Sequence, residues 1–204
     1  MPNKVRLLSR CAAVALAAIL IVAAYAFLSV WRSEDRAARL LRASKSLVPG
    51  TSGFGEVATV AKRFGAESVG GCSQAHCKFR FVVDNATLSW WGWSRSTSLA
   101  IWFVVVDGRL SKSTFYFRMD PGLACTEAAV EEKLHWPANY TRPVTVFHRV
   151  SGDTAGEYLW RCYVALWQDA PAATRARYLS FNVLCLSKFK GCRDAQELLP
   201  TVDW

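Results

Sequence analysis

The chain has 204 residues, of which 52% are hydrophobic and 20% charged, with a formal net charge of +9. Removing the first 45 residues leaves 159, enough for one domain with a real core. The charge does not mark a nucleic-acid binder: residues 1–45 carry eight basic and two acidic side chains, whereas residues 46–204 carry 17 basic and 14 acidic and hold no Lys/Arg run.

The charge asymmetry surrounds one segment. Cys11 to Trp31, CAAVALAAILIVAAYAFLSVW, is twenty-one residues without a charge. At about 1.5 Å per residue, a helix of that length crosses the roughly 30 Å hydrocarbon core of a bilayer with its backbone groups bonded internally. A soluble amphipathic helix would show a polar stripe, and this one has none. Lys4, Arg6 and Arg10 precede it, as in the n-region of a secretory signal. Trp31 beside Arg32 suits an interfacial anchor. The reading is an uncleaved single-pass anchor over 11–31, preceded by a basic flank over 1–10. The alternative is a signal cleaved near Ala26, after the small-x-small triplet Ala24-Tyr25-Ala26, releasing a secreted domain.

Orientation follows from the cysteines. By Lys and Arg count alone, the flank Arg32, Arg36, Arg39, Arg42 and Lys45 would stay cytoplasmic. Yet Cys72, Cys77, Cys125, Cys162, Cys185 and Cys192 all lie beyond the segment, an even number that fits an oxidising compartment. The preferred bonds are the local pairs Cys72–Cys77 and Cys185–Cys192, with Cys125–Cys162 as the remainder. The last closes the longest loop and should stabilise most, at about 3–4 kcal/mol on the chain-entropy view. The bulk of the chain is expected outside the cytoplasm, periplasmic or extracellular. Its expected partners are the bilayer, through residues 11–31, and an envelope protein; no nucleic acid and no cofactor are expected, and the residues leave the oligomeric state open.

Residues 32–53 read as a juxtamembrane helix and linker. Ser33 to Ser46 has few apolar residues (Ala37, Leu40, Leu41) and reads as a solvated stalk, capped by Ser33 with Glu34 and Asp35 in its first turn. Val48-Pro49-Gly50-Thr51-Ser52-Gly53 is a linker by composition. The globular domain is placed at 54–204. Val57, Val60, Ala61 and Phe64 fall at i, i+3, i+4, i+7, a short amphipathic helix stopped by Gly65. Pro49-Gly50-Thr51, Glu56-Val57 and Phe64-Gly65 together resemble the opening helix of small envelope-assembly lipoproteins of the BamE type. The resemblance covers this short stretch alone, and no lipobox-like cysteine follows the apolar run, so no role is carried over from it.

Strands follow. Lys78 to Asp84 alternates, with Phe79, Phe81 and Val83 on one face. Ser98 to Val106 is apolar on both faces and reads as a central strand. Asp107-Gly108 signals a hairpin into Arg109 to Met119. Thr126 to Leu134 reads as a helical turn or two, and Val144 to Val150 with Glu157 to Trp167 as another antiparallel pair. Asp169 and Pro171 open a late helix with a stripe of Ala172, Ala176, Leu179, Val183 and Leu186. The expected fold is α+β: an antiparallel sheet of about five strands, flanked by a helix at each end.

Two stretches carry candidate chemistry. Cys72-Ser-Gln-Ala-His76-Cys77 has neither CxxC nor HxxxH spacing, so a disulfide loop is favoured over a zinc or redox site. Ser89-Trp90-Trp91-Gly92-Trp93-Ser94-Arg95 puts three indoles in four residues. Either they complete the sheet core, or they form a loop of Trp90, Trp91, Trp93 and Arg95 that touches lipid, a partner, a sugar or a small ligand. No GxSxG, HExxH, P-loop or GxGxxG pattern is present, and no catalytic or metal residue is assigned. Glu127, Glu131 and Glu132 read as a solvated acidic face. Asn85-Ala-Thr87 and Asn139-Tyr-Thr141 match the glycosylation triplet. The functional expectation is a non-enzymatic, membrane-tethered envelope interaction or assembly module. The alternatives are a ligand- or glycan-binding module using the Trp loop, and a secreted domain with an enzymatic site of unrecognised type.

Overall fold

The computed structural model describes residues 2–92, 94, 96–120, 126–134, 144–152, 158–167, 170–189, 191–192 and 195–202. Helix α1 runs unbroken from Pro2 to Lys45, so the apolar segment and the following charged stretch form one rod. Its first part stands bare: Val14, Leu20 and Phe27 are 70%, 61% and 71% exposed. Its last three turns do the opposite. Ala37, Leu40 and Leu41 are buried, which corrects the reading of a solvated stalk. Three apolar residues suffice because they recur at helical spacing and meet a ready-made surface.

That surface combines short helical segments with one face of a sheet that, among the described residues, has seven strands in the order β1-β2-β3-β4-β5-β7-β6. The strands are β1 (Glu67–Ser68), β2 (His76–Asp84), β3 (Ser96–Val106), β4 (Arg109–Asp120), β5 (Thr126–Lys133), β6 (Val144–Gly152) and β7 (Tyr158–Trp167). β2 alternates strictly, burying Cys77, Phe79, Phe81 and Val83. Leu99, Ile101, Phe103 and Val105 of β3 and Phe115, Phe117 and Met119 of β4 continue that face. Helix α2 (Phe54–Phe64) adds Val57 and Ala61 and ends on Gly65 in the left-handed region. Between β3 and β4, Asp107 and Gly108 both take positive φ (51° and 73°), the two-residue turn that matches strand twist. The other face of β3 is half-covered, with Val106 38% exposed, so the strand is central by pairing but not equally buried on both sides.

The linker is not loose. Gly50 N–H donates to the Leu110 carbonyl (2.7 Å), Leu110 N–H to Ser52 O (2.8 Å), and Phe54 N–H to Gly108 O (2.8 Å). Residues 50–54 therefore pin the end of α1 to the start of β4.

The sheet departs from the expected antiparallel form. The β6–β7 hairpin folds back so that β7 inserts beside β5, and β5 pairs with β7 in parallel. The sheet is mixed, and Thr126 to Lys133 is a strand rather than helical turns. Ala and Glu favour helix locally, but both edges of this segment are taken by strand ladders, which overrides propensity. The late helix is also shorter than its stripe implied. α4 spans Ala172–Tyr178, and a separate 3-10 turn spans Val183–Leu186. In one continuous helix Leu179 and Phe181 would point to nearly opposite sides. The extended break lets both be buried, with Phe181 stacked on Phe117 at 6.2 Å. α5 (Ala195–Leu198) closes the core with Leu198.

Disulfides join Cys72 to Cys77 and Cys185 to Cys192, as expected. The Cys125–Cys162 bond lies outside the described residues.

Candidate functional site: the junction of α1 and α3

The short helix α3 (Ala86–Trp90) leaves β2 and turns back before β3. Asn85 fixes that turn. It is 5% exposed; its Nδ2 donates to Leu186 O (3.0 Å) and Ser94 Oγ (3.2 Å), and its Oδ1 accepts from Thr97 N–H (2.8 Å). Asn85 thus ties α3, the start of β3 and the 3-10 turn into one unit. The same bonds correct its reading as a glycosylation acceptor, because the amide nitrogen that would carry a glycan is buried and engaged. Asn139 lies outside the described residues.

Helix α1 docks on this unit along several turns. Ser29 Oγ lies 3.4 Å from Thr87 Oγ1 and Glu34 bonds Ser187 Oγ, while on α2 the Phe64 carbonyl accepts from Arg36 at 3.0 Å. Further down, Lys45 Nζ reaches Ser180 Oγ (3.5 Å), and burial holds its ammonium below the ordinary lysine pKa. Arg175 of α4 closes the end of the rod by donating to Leu47 O (3.2 Å).

Two hollows flank α1 at the level of Ser29. One is a cavity of about 470 Å³ lined by Ala23, Ala26, Phe27 and Val30 of α1 and by Leu88 and Trp91. Among the described residues its polar neighbour is Ser187. The other, about 340 Å³, is polar and includes Arg32, Arg36 and Asp84. Around the junction Trp90 is 85% exposed and Trp91 42%. Their rings lie 6.4 Å apart. The 3-10 turn exposes Leu184 (60%) and its sequel Phe189 (55%). So Trp90 and Trp91 are on the surface and do not complete the sheet core. Trp93 and Arg95 lie outside the described residues.

The other sequence candidates scatter. Arg32 faces the polar hollow, and Arg39 pairs with Asp35 at 2.7 Å within its own helix. The side chains of Lys4, Arg6 and Arg10 lie outside the described residues. The Cys72–Cys77 bond closes an exposed loop in which Ser73 N–H donates to His76 O (2.8 Å). Among the described residues, no three His, Cys, Asp or Glu side chains come together. His135 lies outside those residues, as does the side chain of His148.

The acidic triplet is the largest correction. Glu127, Glu131 and Glu132 are 6%, 6% and 1% exposed. Glu132 faces the core side, where Arg175 grips it through Nε (2.6 Å) and Nη2 (3.0 Å), and Ser113 Oγ donates at 2.8 Å. Glu131 faces the opposite side and meets Lys112, Lys133 (3.2 Å) and the Tyr163 hydroxyl. Arg118 lies 3.9 Å from Glu127. Strand alternation sends adjacent glutamates to opposite faces, and each finds cations there. Sequence reading missed both Asn85 and Arg175 as organising residues; their partners lie on other elements.

No protein-family model matches the chain, and neither a curated protein nor a solved structure is significantly similar to it.

Proposed function

We propose that the chain is a single-pass, membrane-tethered extracytoplasmic module that works by binding at the bilayer surface and to an envelope protein. One observation carries the reading. α1 is a single helix, exposed from Cys11 to Tyr25, touching α3 through Ser29, and locked into the domain core from Ala37 onward. A helix that is apolar all round and exposed all round needs a hydrocarbon solvent. A flexible linker would let the domain drift; a continuous rod holds it at one height and angle to the membrane. The disulfides Cys72–Cys77 and Cys185–Cys192 support an oxidising compartment. The exposed Trp90 favours contact at the membrane interface over a sugar site, since it stands beside the exit of the tether.

The test is membrane topology of the full chain. Alkaline carbonate should leave it in the pellet, and external protease should degrade the domain only when added on the extracytoplasmic side. Without reductant, Cys72, Cys77, Cys185 and Cys192 should resist alkylation. Release by carbonate, or ready alkylation of those four thiols, overturns the reading. An intact mass lacking residues up to Ala26 would convert the tether to a cleaved signal.

A further inference from the structure

We infer that the polar hollow between α1 and the end of β2 binds the headgroup phosphate of an anionic phospholipid through Arg32 and Arg36. The inference rests on the membrane-tether reading and names the lipid class that the outer end of the tether selects.

A charge anomaly points to it. Lys4, Arg6 and Arg10 precede the apolar run, whereas Arg32, Arg36, Arg39, Arg42 and Lys45 follow it. Basic side chains beside a span hold their side in the cytoplasm, yet on the tether reading this richer flank is the exported one. Cations that oppose insertion need a use at their destination. The structure sorts them. Arg39 pairs with Asp35 at 2.7 Å, and Lys45 Nζ reaches Ser180 Oγ at 3.5 Å. Arg32 and Arg36 instead line the hollow of about 340 Å³, together with Tyr25, Ser29 and Ser33.

These two guanidiniums are left uncompensated. They stand at i and i+4 on one helix, so like charges share one hollow. The acidic groups at that level are engaged elsewhere: Glu34 bonds Ser187 Oγ, Asp35 holds Arg39, and Asp84 Oδ1 accepts from Ala86 N–H at 3.2 Å. Among the described residues, no ion pair reaches Arg32 or Arg36. Arg36 Nη2 donates to Phe64 O, which steadies the side chain and leaves its other N–H donors for a ligand. Asp84 also lines the hollow, but two arginines against one carboxylate leave it net positive. Adjacent guanidinium forks with hydroxyls beside them match the several acceptor oxygens of a phosphate.

Depth chooses the source of that phosphate. Arg32 is the first charge after the apolar run and therefore marks the end of the hydrocarbon. Arg36 stands about 6 Å further along the helix. A bilayer of about 40–45 Å around a core of about 30 Å leaves roughly 5–7 Å of headgroup on each side. The two arginines span that layer, which lipid phosphates fill. In phosphatidylcholine the headgroup ammonium offsets the phosphate, so a net anionic headgroup is the better partner.

The full chain is given an equal mixture of phosphatidylglycerol and phosphatidylcholine in mild detergent, and native mass spectrometry reads which lipid it keeps. Wild type should prefer phosphatidylglycerol, and Arg32→Gln/Arg36→Gln should lose that preference by roughly tenfold or more. Arg32→Lys/Arg36→Lys keeps the charge without the planar fork and should lose most of it too. Asp84→Asn keeps an oxygen for Ala86 N–H, removes the repelling charge, and should strengthen the preference. If the Gln pair matches wild type, no site exists in the hollow; if the Lys pair does, only diffuse attraction acts, and either result overturns the inference. Displacement of phosphatidylglycerol by millimolar inorganic phosphate would assign the site to a soluble phosphate and overturn the headgroup. Carbonate extraction of wild type runs alongside: a pelleted chain without lipid preference loses the site and keeps the tether, and a released chain loses the tether itself.

Discussion

Arg175 should be the side chain whose loss most damages the join between tether and domain. Its guanidinium is 11% exposed and holds Glu132, itself 1% exposed, through two bonds, while a third reaches Leu47 O at the end of α1. Arg175→Met leaves a carboxylate on the core face with Ser113 Oγ as its remaining partner among the described residues. Removing one partner of such a pair costs about 3–5 kcal/mol. For a domain of this size each kcal/mol moves the midpoint by about 2–4 °C, so the expected drop is roughly 6–20 °C. The double variant Arg175→Met/Glu132→Leu removes the stranded charge and should recover most of the loss. It stays below wild type by about 1–3 kcal/mol because Leu47 O remains unpaired. The assay is thermal unfolding of the full chain in detergent, followed by Trp emission. A drop under about 2 °C for Arg175→Met, or a double variant no more stable than the single, refutes the reasoning.

Leu40→Ala should cost about 2–5 kcal/mol, because Leu40 is 1% exposed in the core, whereas Leu20→Ala, at 61% exposure, should stay within about 0.5 kcal/mol. Equal effects in denaturant titrations would return residues 33–46 to a solvated stalk. Asn85→Ala removes the side-chain acceptor of Thr97 N–H and a donor to Leu186 O and should cost about 1–3 kcal/mol. Expressed in a glycosylating host, the folded chain should show no glycan mass at Asn85; a glycan there contradicts the buried amide. Replacing Cys185 and Cys192 by Ala opens a loop with a sequence separation of 7. It should cost about 2 kcal/mol, and a change in midpoint near zero would remove that bond from the domain's stability. Lys45 has a lowered pKa in the fold, so its charged form is disfavoured there. Below the lowered value both states are protonated and the fold bears the full cost. As pH rises toward the ordinary value of about 10.4, the unfolded chain holds the proton longer, and stability from this group increases. Lys45→Met should therefore outlast wild type at neutral pH, by a margin that shrinks as pH rises; a constant margin refutes it.

Local order was legible wherever the signal sits in consecutive residues. The twenty-one uncharged residues of α1, the alternation of Phe79, Phe81 and Val83, the Asp107-Gly108 turn and the two short cysteine loops needed no knowledge of neighbours. Each is set by helix rise, strand pleat, turn φ or chain reach. What failed were segments whose pattern admits two structures. Thr126 to Lys133 has helical composition and strand alternation at once, and only β4 and β7 on its two sides decide between them. The stripe from Ala172 to Leu186 reads as one helix until Phe117 supplies a place for Phe181.

The candidate site divides along the same line. Residue order alone determined that an all-apolar rod precedes a disulfide-bonded domain and that Trp90 and Trp91 stand next to each other, since these are facts of composition and adjacency. Only the tertiary structure decided that Ala37, Leu40 and Leu41 belong to the core, that Glu131 and Glu132 are buried on opposite faces, and that Trp91 shares a cavity with Ala23 and Ala26. The reason is physical: burial of a residue and pairing of a charge are properties of what lies across from it. Here that partner is tens of residues away in the chain.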